Sequence, residues 1–184
     1  MNVGHYNITY NDEVDEFSDD LSLEGRLKNY ITNHFCPAYA ISMLVPIYLV
    51  GGAIRDLMFA KTPKDLDFVV LGKDNLDWVL EVFQKFGISY TLNSFGGFKF
   101  EYDDTSIDLW LADDLLSSIQ YNVDGLLFDL GKNRLLSLTF DDFLDKGLKV
   151  VNYENNIEKG REEKLILFEK EYIKTNDYFS SNML

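Results

Sequence analysis

The sequence predicts a mixed α/β fold (α+β in the way its elements segregate), built on a mixed sheet of about five strands with helices mainly on one face. Three observations carry this. Apolar runs of strand length alternate with stretches of helical spacing, turn residues punctuate the boundaries, and 46% hydrophobic residues suffice for a real core in a chain of 184. That length suits one ordinary domain with terminal decorations. The expected organisation is an acidic leader over residues 1–20, a head domain over 21–155, and a C-terminal helix and tail over 156–184.

Along the chain, Leu23, Leu27, Tyr30, Ile31 and His34 recur near helical spacing and predict a helix from Leu21 to Phe35, which Pro37 ends or follows with a second short helix reaching Leu44. Ile47 to Val50 reads as a buried strand, broken by Gly51 and Gly52, and Ala53 to Ala60 as a helix closed off by Pro63. Leu66 to Leu71 is a second strand and Leu76 to Phe86 an amphipathic helix. Ile88 to Leu92, Phe98 to Tyr102 and Ser106 to Leu111 read as three further strands with turn residues between them. Beyond them lie a short strand over Leu126 to Leu130, a helical turn over Phe140 to Lys146, and a charged helix over Ile157 to Lys174.

Bulk properties narrow the function. No stretch approaches the ~20 apolar residues of a membrane span, and Met1 to Asp20 is polar and acidic, unlike a signal peptide, so a cytoplasmic address is expected. A single cysteine, Cys36, excludes an intrachain disulfide and fits a reducing compartment. His5 and His34 lack the spacing of a metal pair. With 31 acidic against 17 basic residues and no basic stripe, the chain is not built to grip a polyanion, and unaided tRNA binding is expected to be weak. The acids between Asp12 and Glu24 are either a solvated leader or a docking tail for a basic protein partner.

The chemistry concentrates in Leu49-Val50-Gly51-Gly52-Ala53-Ile54-Arg55-Asp56 and Asp65-Leu66-Asp67-Phe68. Paired glycines between a strand and a helix allow a sharp turn and a close backbone approach, and the exposed N–H groups there suit a phosphate. Gly51 and Gly52 are therefore nucleotide-binding candidates. Arg55 either lines the triphosphate or forms an ion pair with Asp56 or with one of the acids. Alternation along a strand turns Asp65 and Asp67 to one face and Leu66 and Phe68 to the other, into the core. Two adjacent anions call for a neutraliser, and Mg2+ or Mn2+ suits hard oxygen ligands. Asp108, set among apolar neighbours in Thr105-Ser106-Ile107-Asp108-Leu109-Trp110, is the third candidate, either as a ligand or proton acceptor or as a structural acid paired with Lys64 or Lys99. Ser94-Phe95-Gly96-Gly97 shapes a nucleotide pocket or simply turns a hairpin.

These residues resemble the head domain of class II tRNA nucleotidyltransferases and bacterial poly(A) polymerases, within the polymerase β-like superfamily. Six fixed positions, each met by chance about once in fifteen, coincide accidentally roughly once in ten million starts. The likeness extends from Ile47 to Asn152, with Ile107-Asp108-Leu109 where the family places its third acid and Asp124-Gly125-Leu126-Leu127-Phe128-Asp129 among the segments that close its head. It implies catalysis and metal binding by Asp65, Asp67 and Asp108. A nucleoside monophosphate would pass from a nucleoside triphosphate to a hydroxyl of RNA, a small molecule or a protein, releasing pyrophosphate. At Ser118-Ile119-Gln120-Tyr121-Asn122 the family usually has a doubled arginine, an aspartate and an aromatic, of which this chain keeps only Tyr121. Residues 157–184 are too short for the helical neck and body that grip tRNA. Two alternatives follow, a catalytically impaired nucleotide-binding module and a regulatory or toxin–antitoxin component with the same fold.

Overall fold

The structure, a computed structural model, describes residues 22–152. The acidic leader and the helix expected over Ile157 to Lys174 lie outside the described residues. Helix α1 (Leu23–Phe35) begins where the Ser22 side chain accepts a hydrogen bond from the Gly25 N–H, and it buries Leu27, Ile31 and Phe35 at fourfold spacing. Pro37 then opens α2 (Pro37–Ser42), where its missing N–H costs nothing. The chain continues through β1 (Ile47–Val50), α3 (Gly52–Met58), β2 (Asp65–Leu71) and α4 (Leu76–Phe86), which Gly87 caps in the left-handed conformation. Strands β3 (Thr91–Leu92), β4 (Phe98–Tyr102) and β5 (Thr105–Ala112) follow, then β6 (Leu126–Asp129), β7 (Arg134–Ser137) and α5 (Phe140–Lys146).

The sheet has the order β3-β4-β5-β2-β1-β6-β7, with β2 and β5 parallel and every other neighbouring pair antiparallel. Seven strands rather than about five is a correction. Ile88 to Leu92 shrinks to a two-residue edge strand exposed on both faces, and β7 was not anticipated. Its run Arg134-Leu135-Leu136-Ser137 lacks β-branched and aromatic residues, and it exists because Asn133, at φ 48°, turns the chain back onto β6.

All five helices bury side chains into one core with Leu49, Leu66, Phe68, Val70, Ile107 and Leu109 of the central strands. The opposite sheet face carries a smaller cluster of Tyr48, Val50, Val69, Ala112, Ile119 and Leu127. Side chains two apart on a strand share a face, so Asp65 and Asp67 stand with Val69 on the face away from the helices. No helix among the described residues is long and apolar enough to cross a membrane.

Candidate active site

The site grows from the end of β1. Gly51 has φ 73° and ψ −140°, a conformation that side-chain-bearing residues rarely adopt, and a Cβ there would stand 3.3 Å from Asp67 Oδ2. Glycine at this position thus makes the turn and lets the Asp67 carboxylate close against it. Strand β2 is central, with β1 on one side and β5 on the other, which fixes Asp67 opposite both Val50 and Asp108. Asp65 stands opposite Ser106. Asp65 is exposed, whereas Asp67 and Asp108 are half-buried.

Register partners on adjacent strands face the same way, so Asp65, Asp67 and Asp108 share one face of two neighbouring strands. Their carboxylates do not gather into one nest, however. Among the described residues no three His, Cys, Asp or Glu side chains converge tightly enough to hold a metal ion. Asp108 is engaged from β4, where Lys99 Nζ lies 3.4 Å from its Oδ2. The donor chemistry nonetheless fits a hard divalent cation, because all three groups are carboxylates on an open sheet face rather than in the closed core.

Comparisons with known proteins bear on the fold that carries these residues. The family model of the Poly A polymerase head domain matches residues 47–94, which span the glycine turn and the Asp65–Asp67 pair. The CCA-adding enzyme of Francisella tularensis subsp. novicida (strain U112) is 27% identical over 165 residues, covering 71% of this chain and 45% of that enzyme. The solved Thermotoga maritima CCA-adding enzyme complexed with tRNA superposes with a TM-score of 0.53 at 19% identity, covering 72% of this chain and 34% of that one. A CCA-adding enzyme complexed with ATP superposes equally well, at 0.53 and 20% identity, covering 72% of this chain and 35% of that one. The chain carries a nucleotidyltransferase head fold. This head spans less than half the length of the curated relative.

Within the head, Arg55 is paired with Asp124, which lies at the end of a 3-10 turn over Asn122–Asp124. Its guanidinium curls back over the glycine turn, with Nη2 3.5 Å from where a Gly52 Cβ would stand. Asp124 is a partner that the sequence did not single out. Its one local signal is an acid placed directly before Gly125 and the buried run Leu126-Leu127-Phe128.

The Ser118 to Asn122 segment is occupied structurally. Trp110 Nε1 donates to Ser118 Oγ at 3.3 Å, Ile119 joins the cluster on the acid-bearing face, and Tyr121 is buried in the helix-side core. Buried Asn122 clasps the segment after α5, its Nδ2 donating to the Gly147 carbonyl at 2.8 Å and its Oδ1 accepting from the Lys149 N–H at 2.8 Å. The tip Asn93 to Gly97 is a hairpin turn, held by Asn93 Oδ1 accepting from the N–H groups of Phe95 and Gly97.

Arg55 and Asp124 are 19% and 15% exposed at their side chains, so the pair is largely shielded from water. Asp124→Ala therefore takes one carboxylate away from a poorly solvated guanidinium. The expected loss is about 1.5–3 kcal/mol, the range for hydrogen bonds to charged groups. Urea unfolding should show it as a lower midpoint, with Asp124→Asn falling between Asp124→Ala and wild type.

Proposed function

We propose that the head is a divalent-metal-dependent nucleotidyltransferase that moves a nucleoside monophosphate from a triphosphate to a hydroxyl acceptor, the 3′ end of tRNA being the acceptor to which the relatives point. The observation that carries this reading is the placement of Asp67 beside the Gly51 turn and opposite Asp108, in a chain with this fold. The N–H groups at Gly51-Gly52 and the start of α3 would receive the phosphates. Arg55, held by Asp124, would add positive charge at the turn.

Asp65, Asp67 and Asp108 would hold Mg2+ or Mn2+, which supplies charge neutralisation and polarises the reacting oxygens. Asp108 would also accept the proton of the attacking hydroxyl as its oxygen bonds to the α-phosphorus and the bond to pyrophosphate breaks. The acid excess argues that the lone chain holds tRNA weakly at physiological salt, so a protein partner, docked through the acidic leader, would assist any action on tRNA.

The test is pyrophosphate release from each of the four ribonucleotides with Mg2+ or Mn2+, offered a tRNA transcript without its terminal CCA, other RNAs and simple alcohols. The expected result is metal-dependent release with at least one RNA acceptor. No release with any acceptor, alongside retained nucleotide binding, would replace this reading by that of a nucleotide-binding module without turnover.

A further inference from the structure

Two cross-strand rows lie on the acid-bearing face. Lys99 of β4, Asp108 of β5 and Asp67 of β2 form one, and Glu101, Ser106 and Asp65 form the next. The two rows therefore set four carboxylates against one ammonium. Adjacent strands are about 4.8 Å apart, so these charges act on one another at short range. Lys99 Nζ lies 3.4 Å from Asp108 Oδ2, with the lysine side chain 58% and the aspartate 24% exposed. A pair this open to water exchanges partners readily, because little packing holds the ammonium and the flexible four-carbon stem can redirect it.

We propose that Lys99 is the resident counter-ion of the acid site. It neutralises Asp108 while no divalent cation is held, gives up that carboxylate when one is bound, and then delivers its ammonium to the triphosphate. This rests on the reading of Asp65, Asp67 and Asp108 as the metal-holding acids. It rests on the contact between an acid of this face and a cation of the neighbouring strand, Lys99 with Asp108. It also gives the site a cation for the phosphates where the Ser118 to Asn122 segment offers no arginine.

The two parts of the role have opposite signs, and that separates them from a cross-strand pair that merely stabilises the sheet. Lys99→Met keeps the stem and removes the charge. Free of its competitor, the site should bind Mn2+ about two- to fivefold more tightly, as expected for loss of an exposed ion pair. With manganese saturating, the same variant should bind ATP and CTP about tenfold more weakly, having lost a charge-assisted contact to phosphate. Lys99→Arg should bring both values back toward wild type.

The experiment follows free Mn2+ by electron paramagnetic resonance, then nucleotide by equilibrium dialysis, for wild type, Lys99→Met, Lys99→Arg and Asp67→Asn. Tighter manganese with weaker nucleotide in Lys99→Met supports the exchange. Manganese binding that Asp67→Asn abolishes but Lys99→Met leaves unchanged overturns the exchange and leaves the metal site standing. Wild type that binds no manganese overturns the metal reading, and the exchange with it.

Discussion

Replacing Asp65 and Asp67 together by asparagine should abolish turnover and leave the fold intact. Both side chains stand on the sheet face away from the helices, one exposed and one half-buried, so neither substitution opens a cavity in the main core. Asparagine keeps nearly the same shape and removes two negative charges from a face that also carries Asp108 and Glu101. Repulsion on that face falls, and the urea midpoint should hold or rise. Chemistry responds the other way. Loss of one electrostatic stabiliser of a transition state costs on the order of 10²–10³ in rate, and the double substitution removes two. Pyrophosphate release per folded molecule should drop by at least that factor with every ribonucleotide tried. Equal rates in variant and wild type would exclude this face as the catalytic one.

The parts of this arrangement that were legible in the sequence are those set by local periodicity. Strand Ile47–Val50 and helix Leu76–Phe86 stand where the apolar pattern and flanking glycines put them, because the signal for each lies within its own run of residues. The common face of Asp65 and Asp67 follows from the two-residue repeat of a strand once Leu66 and Phe68 are recognised as core. Asp108 joined them because an acid inside an apolar strand needs a partner, but which partner depended on strand order. Only with β5 between β2 and β4 does Asp108 face both Asp67 and Lys99.

Contacts made across long stretches of chain left no such trace. Arg55 meets a carboxylate 69 residues away, a partner that its own stretch of sequence does not signal. Strand β7 depends on a turn through Asn133 and on the neighbouring edge of β6, not on its own propensity. The Ser118 to Asn122 segment shows the same limit from another side. Read as a nucleotide-contacting stretch, it departs from the family pattern, whereas in the fold Asn122 spends its amide on Gly147 and Lys149. A buried amide of this kind is specified by backbone groups that come near only after folding.

The site's precision rests on the strand that carries it, and Phe68→Ala should test that dependence most severely. Phe68 is fully buried, lies between Leu49 and Leu109 in register, and packs its ring 5.5 Å from that of Phe35 on α1. It is the residue next to Asp67, pointing to the opposite face, so it anchors β2 against the helices while its neighbour meets the glycine turn. Truncating a buried phenylalanine to alanine costs about 3–5 kcal/mol, against a total stability of about 5–15 kcal/mol for a domain. The thermal midpoint should fall by roughly 6–20 °C. Activity should follow the folded fraction: near wild type well below the new midpoint, then lost far earlier on warming. Phe68→Leu, which refills most of the volume, should recover a large part of the midpoint. A thermal midpoint unchanged in Phe68→Ala would mean that β2 is not held through this core, and the placement of Asp65 and Asp67 would need another support.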